Sequence, residues 1–176
     1  KAHELAECTA SSLGEYLNNI LPMEQDEKIV YMLEPNGYKG YMLFAYENGK
    51  IAKIEMSAYE TKTFRRKLVN AYSNKAQLAK MLYISEDTDV VLIRDIDKAM
   101  LVNSELVPQK QTKSSGGVQI YTLKKNSKLT NMMYMTDFKS ENIEYYRSTK
   151  IPATGHFINE QDKIDNDIPR QIGLFE

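Results

Sequence analysis

The feature that most constrains the fold is a four-residue pattern that recurs along the chain about every 50 residues. The apolar run at 41–44 returns at 90–93, 49 residues later, and the pattern at 69–72 returns at 118–121, also after 49 residues. Because four such patterns keep nearly one spacing, we infer that the chain is built from repeats. The remaining matches are 17–20 with 69–72, and 29–32 with 81–84 and 132–135.

Each repeat is predicted to consist of β-strands. The short apolar run at 41–46 is bounded by turn residues and suits a buried strand. Asn48-Gly49 follows it and favours a tight hairpin turn, because both turn positions require positive φ. Apolar and charged residues then alternate over 52–56, which is the period of a half-buried strand. Further strands are predicted near 69–72, 81–84, 90–94, 99–103, 118–123 and 129–135.

Four strands in about 50 residues is the period of a propeller blade, so the predicted fold is all-β with about three to four four-stranded blades. A single sheet would leave apolar faces exposed, so neighbouring blades must stack. A helical repeat is the alternative, but the Asn-Gly turn and the period-2 alternation argue against it. The predicted divisions are a partial first blade at 1–35, blades at 36–85 and 86–135, and a tail at 136–176 that closes the array or caps its edge.

The sequence offers little support for a membrane, metal or catalytic protein. It has no apolar stretch near the ~20 residues that span a bilayer. The single cysteine, Cys8, fits a reducing cytosol, and His3 and His156 lack companion metal ligands. We find no phosphate-binding loop, no nucleophile elbow and no other catalytic constellation, so no cofactor is expected. The chain starts at Lys1 without an initiator methionine, so we expect a fragment or a processed product.

Several of these segments resemble a known family in the same order. Residues 41–54, an apolar strand followed by an Asn-Gly-Lys hairpin, are similar to the strand–turn–strand of the C-terminal repeats of bacterial type IIA topoisomerase A subunits, those of gyrase and topoisomerase IV. Residues 69–72 and 117–120 resemble another strand of those repeats, and 19–29 resemble the link between repeats. The resemblance covers about residues 1–135.

The resemblance implies a β-pinwheel, a propeller-like disc whose blades exchange strands with their neighbours. It also implies a bacterial, cytoplasmic, nucleoid-associated parent: an ATP-dependent type II topoisomerase that passes one DNA duplex through another. The implied partners are duplex DNA, the catalytic core of the same A subunit and an ATPase B subunit. The gyrase heptad of the Gln-Arg-Arg-Gly-Gly-Lys-Gly type has only a degenerate counterpart at 111–117, so gyrase and topoisomerase IV both stay open.

The charge is distributed as a DNA-binding domain of this kind requires. Residues 1–35, 36–135 and 136–176 carry net charges of −5, +7 and −3, so the positive charge lies in the central repeats. Stacking would bring matching loops to one curved rim, where cations could contact phosphates with little sequence preference. The predicted DNA-binding residues are Lys62, Arg65, Arg66 and Lys67 with Lys110 and Lys113 in matching loops, and Lys75 and Lys80 matched by Lys124, Lys125 and Lys128.

Other interpretations of the same residues remain. Lysines and arginines in loops are often ordinary solvated charge, and propeller-like repeats also serve as protein–protein interaction modules, which the acidic ends favour. An isolated hydrolase ranks last because it would need site residues that are missing. Tyr41, Tyr83 and Tyr134 are expected to pack in strands, and the pairs Asp87/Asp89 and Asp95/Asp97 to serve turns rather than catalysis.

Overall fold

The fold is seen in a computed structural model that describes residues 7–21, 23–24, 26–34, 36–61, 68–95 and 97–168. The chain forms two compact units, Lys1–Met32 with Thr61–Val69, and Leu33–Glu60 with Asn70–Glu176. The described residues form strands β1 (Tyr41–Tyr46), β2 (Lys50–Glu55), β3 (Leu78–Ile84), β4 (Asp89–Arg94), β5 (Lys98–Asn103), β6 (Gln109–Lys110), β7 (Val118–Gln119), β8 (Leu129–Tyr134) and β9 (His156–Phe157), and helices α1 (Leu17–Ile20) and α2 (Glu160–Asp165).

The first unit contains α1, a single turn that ends where Leu21 becomes extended. Its described residues form no strand, so the repeated pattern at 17–20 and 29–32 does not correspond to strands in this unit. The large apolar side chains of Leu13, Tyr16 and Met32 are exposed. The four-residue helix α1 has no buried side chain and so no packed face to stabilise it. Without packing against a neighbour, the strand-like sequence pattern of this segment does not determine its backbone conformation.

Two sheets form the second unit. In the first sheet β1 lies between β3 and β2, and in the second sheet β4 lies between β8 and β5, with all of these pairs antiparallel. Each sheet is built on a hairpin, and a turn is present at the predicted Asn48-Gly49: the Gly49 amide donates to the Tyr46 carbonyl at 2.9 Å. Only Gly49 has positive φ, 78°, so the prediction of positive φ at both positions is wrong. The predicted all-β fold is confirmed, whereas the number of three to four blades stays a prediction.

The outer strands of the first sheet come from the next repeat. Both β6 and β7 lie between β5 and β8 in the sequence, yet both pair with β2 of the first sheet. The parallel pair joins Ile54 to Lys110, and the antiparallel pair joins Ile51 to Val118. The repeats therefore exchange strands, and a strand predicted as part of residues 86–135 completes the sheet formed by residues 41–84.

The tail repeats this arrangement for the second sheet. The strand β9 pairs with β5 so that Phe157 faces Lys98, just as Gln119 faces Lys50 in the first sheet. A glycine with positive φ precedes each exchanged strand: Gly117 at 74° and Gly155 at 65°. The shared register and the shared glycine indicate that 155–157 is the counterpart of 117–119.

The predicted strand at 69–72 is wrong. These residues form a turn and bends, and Asn70 has φ of 57°, which no strand residue adopts. Residues 118–121 have a similar sequence pattern but begin with the strand β7, so the same pattern adopts two different backbone conformations. The tyrosine at the end of the turn, Tyr72, stacks on Phe44 with ring centroids 5.7 Å apart.

The core of the second unit is built around β1 and β4, which are central strands of their sheets. Five of the six residues in each strand are buried, which is the pattern of a strand covered on both faces. One apolar cluster joins the two sheets and includes Leu43, Leu92 and Tyr121. A second cluster packs Phe138, Tyr146 and Ile158 against the outer face of β4 and β5, so the tail provides the cover for that face.

An ion pair fastens the tail to the start of β4. Arg147 Nη2 donates to Asp89 Oδ2 at 2.8 Å, and the two side chains are 30% and 20% exposed. The hydrogen bond from Arg147 lowers the pKa of Asp89 below the ordinary value of 3.8, although partial desolvation opposes it. The carboxylate is therefore stabilised in the folded state, so this contact should contribute to stability at neutral pH.

We expect Asp89→Asn to lower the free energy of unfolding by about 1–2 kcal/mol at pH 7. Since the pKa is lower in the folded state, the wild-type advantage is complete above the unfolded value and is lost as the pH falls through the folded value. Urea unfolding at pH 7 and at successively lower pH should show the difference shrinking. The exposed Asp137→Asn is the control, and a penalty for Asp89→Asn that did not change with pH would contradict the assignment.

Candidate nucleic-acid interface

The two sheets present equivalent loops at the end where their hairpins turn. The Glu47 amide donates to the Gln77 carbonyl at 2.9 Å, and in the second sheet the Asp95 amide donates to the Lys128 carbonyl at 3.1 Å. The connection into β3 therefore occupies the same place in the first sheet as the connection into β8 does in the second. We call this end of the sheets, residues 47–49, 73–77, 95, 97 and 122–128, the turn rim.

Most of the described cations that the sequence predicted lie on or beside the turn rim. Lys75 precedes β3, Lys124 and Lys125 precede β8, and Lys80 lies opposite Ala45, next to the last residue of β1. All four lysines are exposed, and within the described ranges none has a carboxylate at ion-pair distance. Their charges are therefore available to an external anion.

Lys128 is also on the rim but is already engaged. Its Nζ lies 3.2 Å from Glu47 Oε1, so this pair links the two repeats, and both side chains stay partly exposed. Exposed ion pairs contribute little to stability, so Lys128 can exchange Glu47 for another anion at small cost.

Two predicted cations lie away from the turn rim. Lys110 in β6 pairs with Ile54, four residues along β2 from Lys50 and so about 13 Å from the hairpin turn. Lys113 is half-buried, and its Nζ lies 5.7 Å from the centre of the Tyr59 ring. The remaining predicted cations, Lys62, Arg65, Arg66 and Lys67, lie outside the described residues.

The acidic groups of the turn rim are used within the chain. Asp95 accepts from Ser127 Oγ and from the Lys128 amide, both at 2.9 Å. Asp97 lies 3.2 Å from Lys163 Nζ, and Glu47 pairs with Lys128. Glu47 and Asp97 are thus paired with cations, whereas Asp95 accepts from neutral donors and keeps its charge. Among the described residues of the rim, the exposed Lys75, Lys124 and Lys125 therefore outnumber the one carboxylate without a cation partner.

The sequence prediction missed Lys98, the first residue of β5. It pairs with Arg94 across the hairpin, its Nζ lies 4.3 Å from the centre of the Phe157 ring, and it donates to the Gly155 carbonyl at 3.4 Å. Desolvation, followed by the nearby charges of Arg94 and Lys124, lowers the pKa of Lys98. Lys50 and Lys98 both begin the second strand of their hairpin, 48 residues apart. The 49-residue spacing of the sequence matches pairs Lys50 with Ala99 instead, so the alignment concealed Lys98 by one residue.

The curated proteins to which this chain is similar are topoisomerase A subunits. No protein-family model matches the chain. The topoisomerase 4 A subunit of Staphylococcus aureus strain MRSA252 is 22% identical over 143 residues, covering 80% of this chain and 17% of the relative. That of Staphylococcus epidermidis is 26% identical over 94 residues, covering 52% of this chain and 12% of the relative. The chain thus spans about a sixth or less of the length of these curated relatives.

The solved structures that are similar to this chain are C-terminal domains of topoisomerase subunits. A topoisomerase IV C-terminal domain matches with a TM-score of 0.64 and 21% identity, over 89% of this chain and 52% of that one. The Escherichia coli ParC C-terminal domain matches at 0.61 and 13%, over 86% and 68%, and a gyrase A C-terminal domain at 0.56 and 16%, over 81% and 52%. The fold is that of the C-terminal domain of a type IIA topoisomerase A subunit. The resemblance and the β-pinwheel fold predicted from the sequence are confirmed.

Within this topoisomerase-type fold the acidic pairs have structural partners. Asp87 accepts from Lys53 Nζ and from Ser104 Oγ, and Asp89 accepts from Arg147. In the described part of the chain no group of three or more histidine, cysteine or acidic residues is placed to hold a metal ion. Nor does that part contain a helix with the length and apolarity needed to cross a bilayer.

The tyrosines of the pinwheel pack as predicted. Tyr41 lies in β1 with Lys53 Nζ 4.5 Å from its ring centre, and the Tyr134 hydroxyl donates to the Tyr83 carbonyl, which joins β8 to β3. These contacts give the tyrosines a role in joining strands and sheets.

Proposed function

We propose that this chain is the DNA-binding domain of a type IIA topoisomerase A subunit and that it holds duplex DNA by its phosphate backbone along the turn rim. The observation that carries the proposal is the placement of exposed lysines in equivalent loops, Lys75 in one repeat and Lys124 and Lys125 in the next. None of these lysines has a carboxylate partner among the described residues. Cations on a curved rim contact successive phosphates, and they bind with little sequence preference because they touch no bases.

In this proposal the domain performs no catalysis itself. It holds or bends a DNA segment and presents it to the catalytic core of the same A subunit, in a cytoplasmic, nucleoid-associated enzyme whose B subunit hydrolyses ATP. The similarity to topoisomerase 4 A subunits and to their C-terminal domains supports this parent. Bending by backbone contacts alone is a known use of such surfaces.

The double variant Lys75→Ala/Lys125→Ala tests the proposal. Each lost phosphate contact lowers the slope of log affinity against log salt by about 0.9, so we expect the slope for duplex DNA to fall by about 1.8. Affinity would be measured by fluorescence anisotropy on a labelled duplex across a series of salt concentrations. Lys75 and Lys125 are exposed, so the variant should keep wild-type stability.

A matched control is Lys39→Ala/Lys139→Ala, which removes the same charge from exposed lysines outside the turn rim. Lys39 precedes the start of β1, and Lys139 follows the end of β8, so neither lies on the turn rim. If both doubles changed the slope equally, binding would reflect net charge and not the rim. If the wild type failed to bind duplex at low salt, the proposal would be wrong.

One observation favours a protein-interaction module as the second candidate. At the outer strand of the second sheet, Phe157 is 63% exposed, and the neighbouring Tyr145 is 47% exposed with its ring 5.0 Å from that of His156. Exposed aromatic clusters of this kind occur at protein interfaces. Absence of DNA binding by the wild type would favour this candidate.

A further inference from the structure

Arg94 is a buried cation that has no carboxylate partner within the part of the chain that the structure describes. It is the last residue of β4 and 2% exposed, and the only side-chain hydrogen bond it makes among the described residues is a long one, from Nη1 to the Thr122 carbonyl at 3.4 Å. Its Nε and Nη2, with the Tyr121 hydroxyl, are the buried side-chain nitrogen and oxygen atoms that lack a partner in the described residues. A buried charge is costly unless it is compensated, so the charge of Arg94 calls for an explanation.

The fold does not require a cation at this position. In the first repeat the equivalent residue is Tyr46, the last residue of β1, which is neutral and equally buried. The Tyr46 hydroxyl accepts a hydrogen bond from the Ser73 amide at 3.1 Å, so that position is satisfied within its own repeat. The guanidinium of Arg94 instead faces the Tyr121 ring at 5.7 Å, which compensates its charge only in part.

Two further cations surround Arg94 on the surface side. Lys98 is its cross-strand partner, and like charges directly opposite each other in a sheet are destabilising. Lys124 follows two residues after Thr122, the carbonyl that Arg94 contacts, and its charge together with that of Arg94 contributes to the lowered pKa of Lys98. The nearest carboxylates in the sequence, Asp95 and Asp97, are engaged by Ser127, Lys128 and Lys163.

We propose that Lys98 and Lys124 form a phosphate-binding site whose affinity is raised by the buried charge of Arg94. Lys98 is half-buried and Lys124 is exposed, so both can contact the phosphate oxygens. Arg94 is buried and does not touch the phosphate; its positive charge attracts the anion from a distance, which makes it a positioning residue. In a partly desolvated site an uncompensated charge acts over several ångströms with little screening. The assignment of this phosphate to the backbone of duplex DNA rests on the function proposed above.

The first arm of the test uses inorganic phosphate with the full chain. We expect the side-chain NMR signals of Lys98 and Lys124 to shift saturably with phosphate and not with chloride at equal ionic strength. Arg94→Met should weaken this binding about tenfold, the effect expected of one unit charge at roughly 10 Å with an effective dielectric constant of about 20. It should also raise the pKa of Lys98, which would show that the charge of Arg94 acts on the binding lysine.

Stability separates the proposed role from a structural one. Replacing a buried, unpaired charge with an apolar residue of similar size is often neutral or stabilising, so Arg94→Met should keep or raise the Tm in phosphate-free buffer. A large fall in Tm together with unchanged phosphate affinity would make Arg94 a packing residue and overturn its assignment. Lys98→Gln/Lys124→Gln leaves the buried Arg94 in place and keeps the test valid if Arg94→Met fails to fold.

The second arm uses duplex DNA and identifies the source of the phosphate. Loss of two contacts in Lys98→Gln/Lys124→Gln should lower the log–log salt slope by about 1.8, with Lys39→Ala/Lys139→Ala as the control. An unchanged slope with saturable phosphate binding would keep the site and make free phosphate its ligand.

The outcomes of the two proposals are distinguishable. If wild-type DNA binding were intact but the lysine signals ignored phosphate and the double variant bound DNA normally, the phosphate site would be refuted and the DNA-binding function would stand. If the wild type did not bind DNA while the lysine signals still saturated with phosphate, the site would stand and the proposed function would fall.

Discussion

Replacing Gly117 with alanine is expected to lower the free energy of unfolding by about 3 kcal/mol or more, which is a large effect for a single methyl group. Gly117 has φ of 74°, a conformation that costs other residues about 1–2 kcal/mol. An added Cβ would also overlap the Ile51 carbonyl and lie 2.6 Å from the Ala52 amide nitrogen. Both obstacles are backbone atoms of β2, so they cannot rotate away, and the exchanged strand β7 would have to move off the first sheet.

The matched control for this variant is Gly37→Ala. Gly37 has a similar φ of 69°, but a Cβ there would meet no atom within 4 Å. It should therefore show only the conformational cost of about 1–2 kcal/mol. Urea unfolding of both variants separates the two contributions, and equal losses would mean that close approach to β2 does not hold the exchanged strand in place.

The hairpins could be predicted from the sequence because their signals are local. Residues 41–56 carry an apolar run, a turn dipeptide and an alternating strand within 16 residues, and the structure has β1 and β2 there. The partner of β7 could not be predicted in this way. A two-residue strand shows no periodicity, and its pairing with β2 is fixed by Gly117 approaching the Ile51 backbone, which is a contact between distant segments.

The candidate site also contains some features that the sequence could predict and others that it could not. Lysines in loops such as Lys75 and Lys125 could be predicted as exposed because loops are solvated, and the structure leaves them so. The burial of Arg94 could not be predicted. The strand β4 is covered on both faces, so its side chains do not alternate between core and solvent, and a charged residue there gives no sign of which way it faces.

Replacing Asp87 with asparagine is expected to lower the free energy of unfolding by about 3 kcal/mol, because it leaves the charge of Lys53 buried without an anion. The Lys53 side chain is 5% exposed, and its Nζ is paired with Asp87. Its remaining partners are the Ser104 carbonyl at 3.4 Å and the Tyr41 ring at 4.5 Å, both neutral. The Asp87 carboxylate also accepts from Ser104 Oγ at 2.6 Å, so the substitution disturbs a connected group. The expected loss stays near the lower end for buried pairs because Asp87 is 34% exposed.

A double-mutant cycle with Lys53→Met tests the physical reason for this loss. If the penalty arises from an uncompensated buried charge, Lys53→Met/Asp87→Asn should be more stable than Asp87→Asn alone, since the charge is removed with its partner. Urea unfolding of the four proteins at pH 7 gives the coupling energy, which should be about 1–3 kcal/mol. A coupling energy of zero would mean that the loss comes from Ser104 and the turn at 85–88, and the Lys53 charge would then be stabilised by its neutral neighbours and by solvent that reaches Asp87.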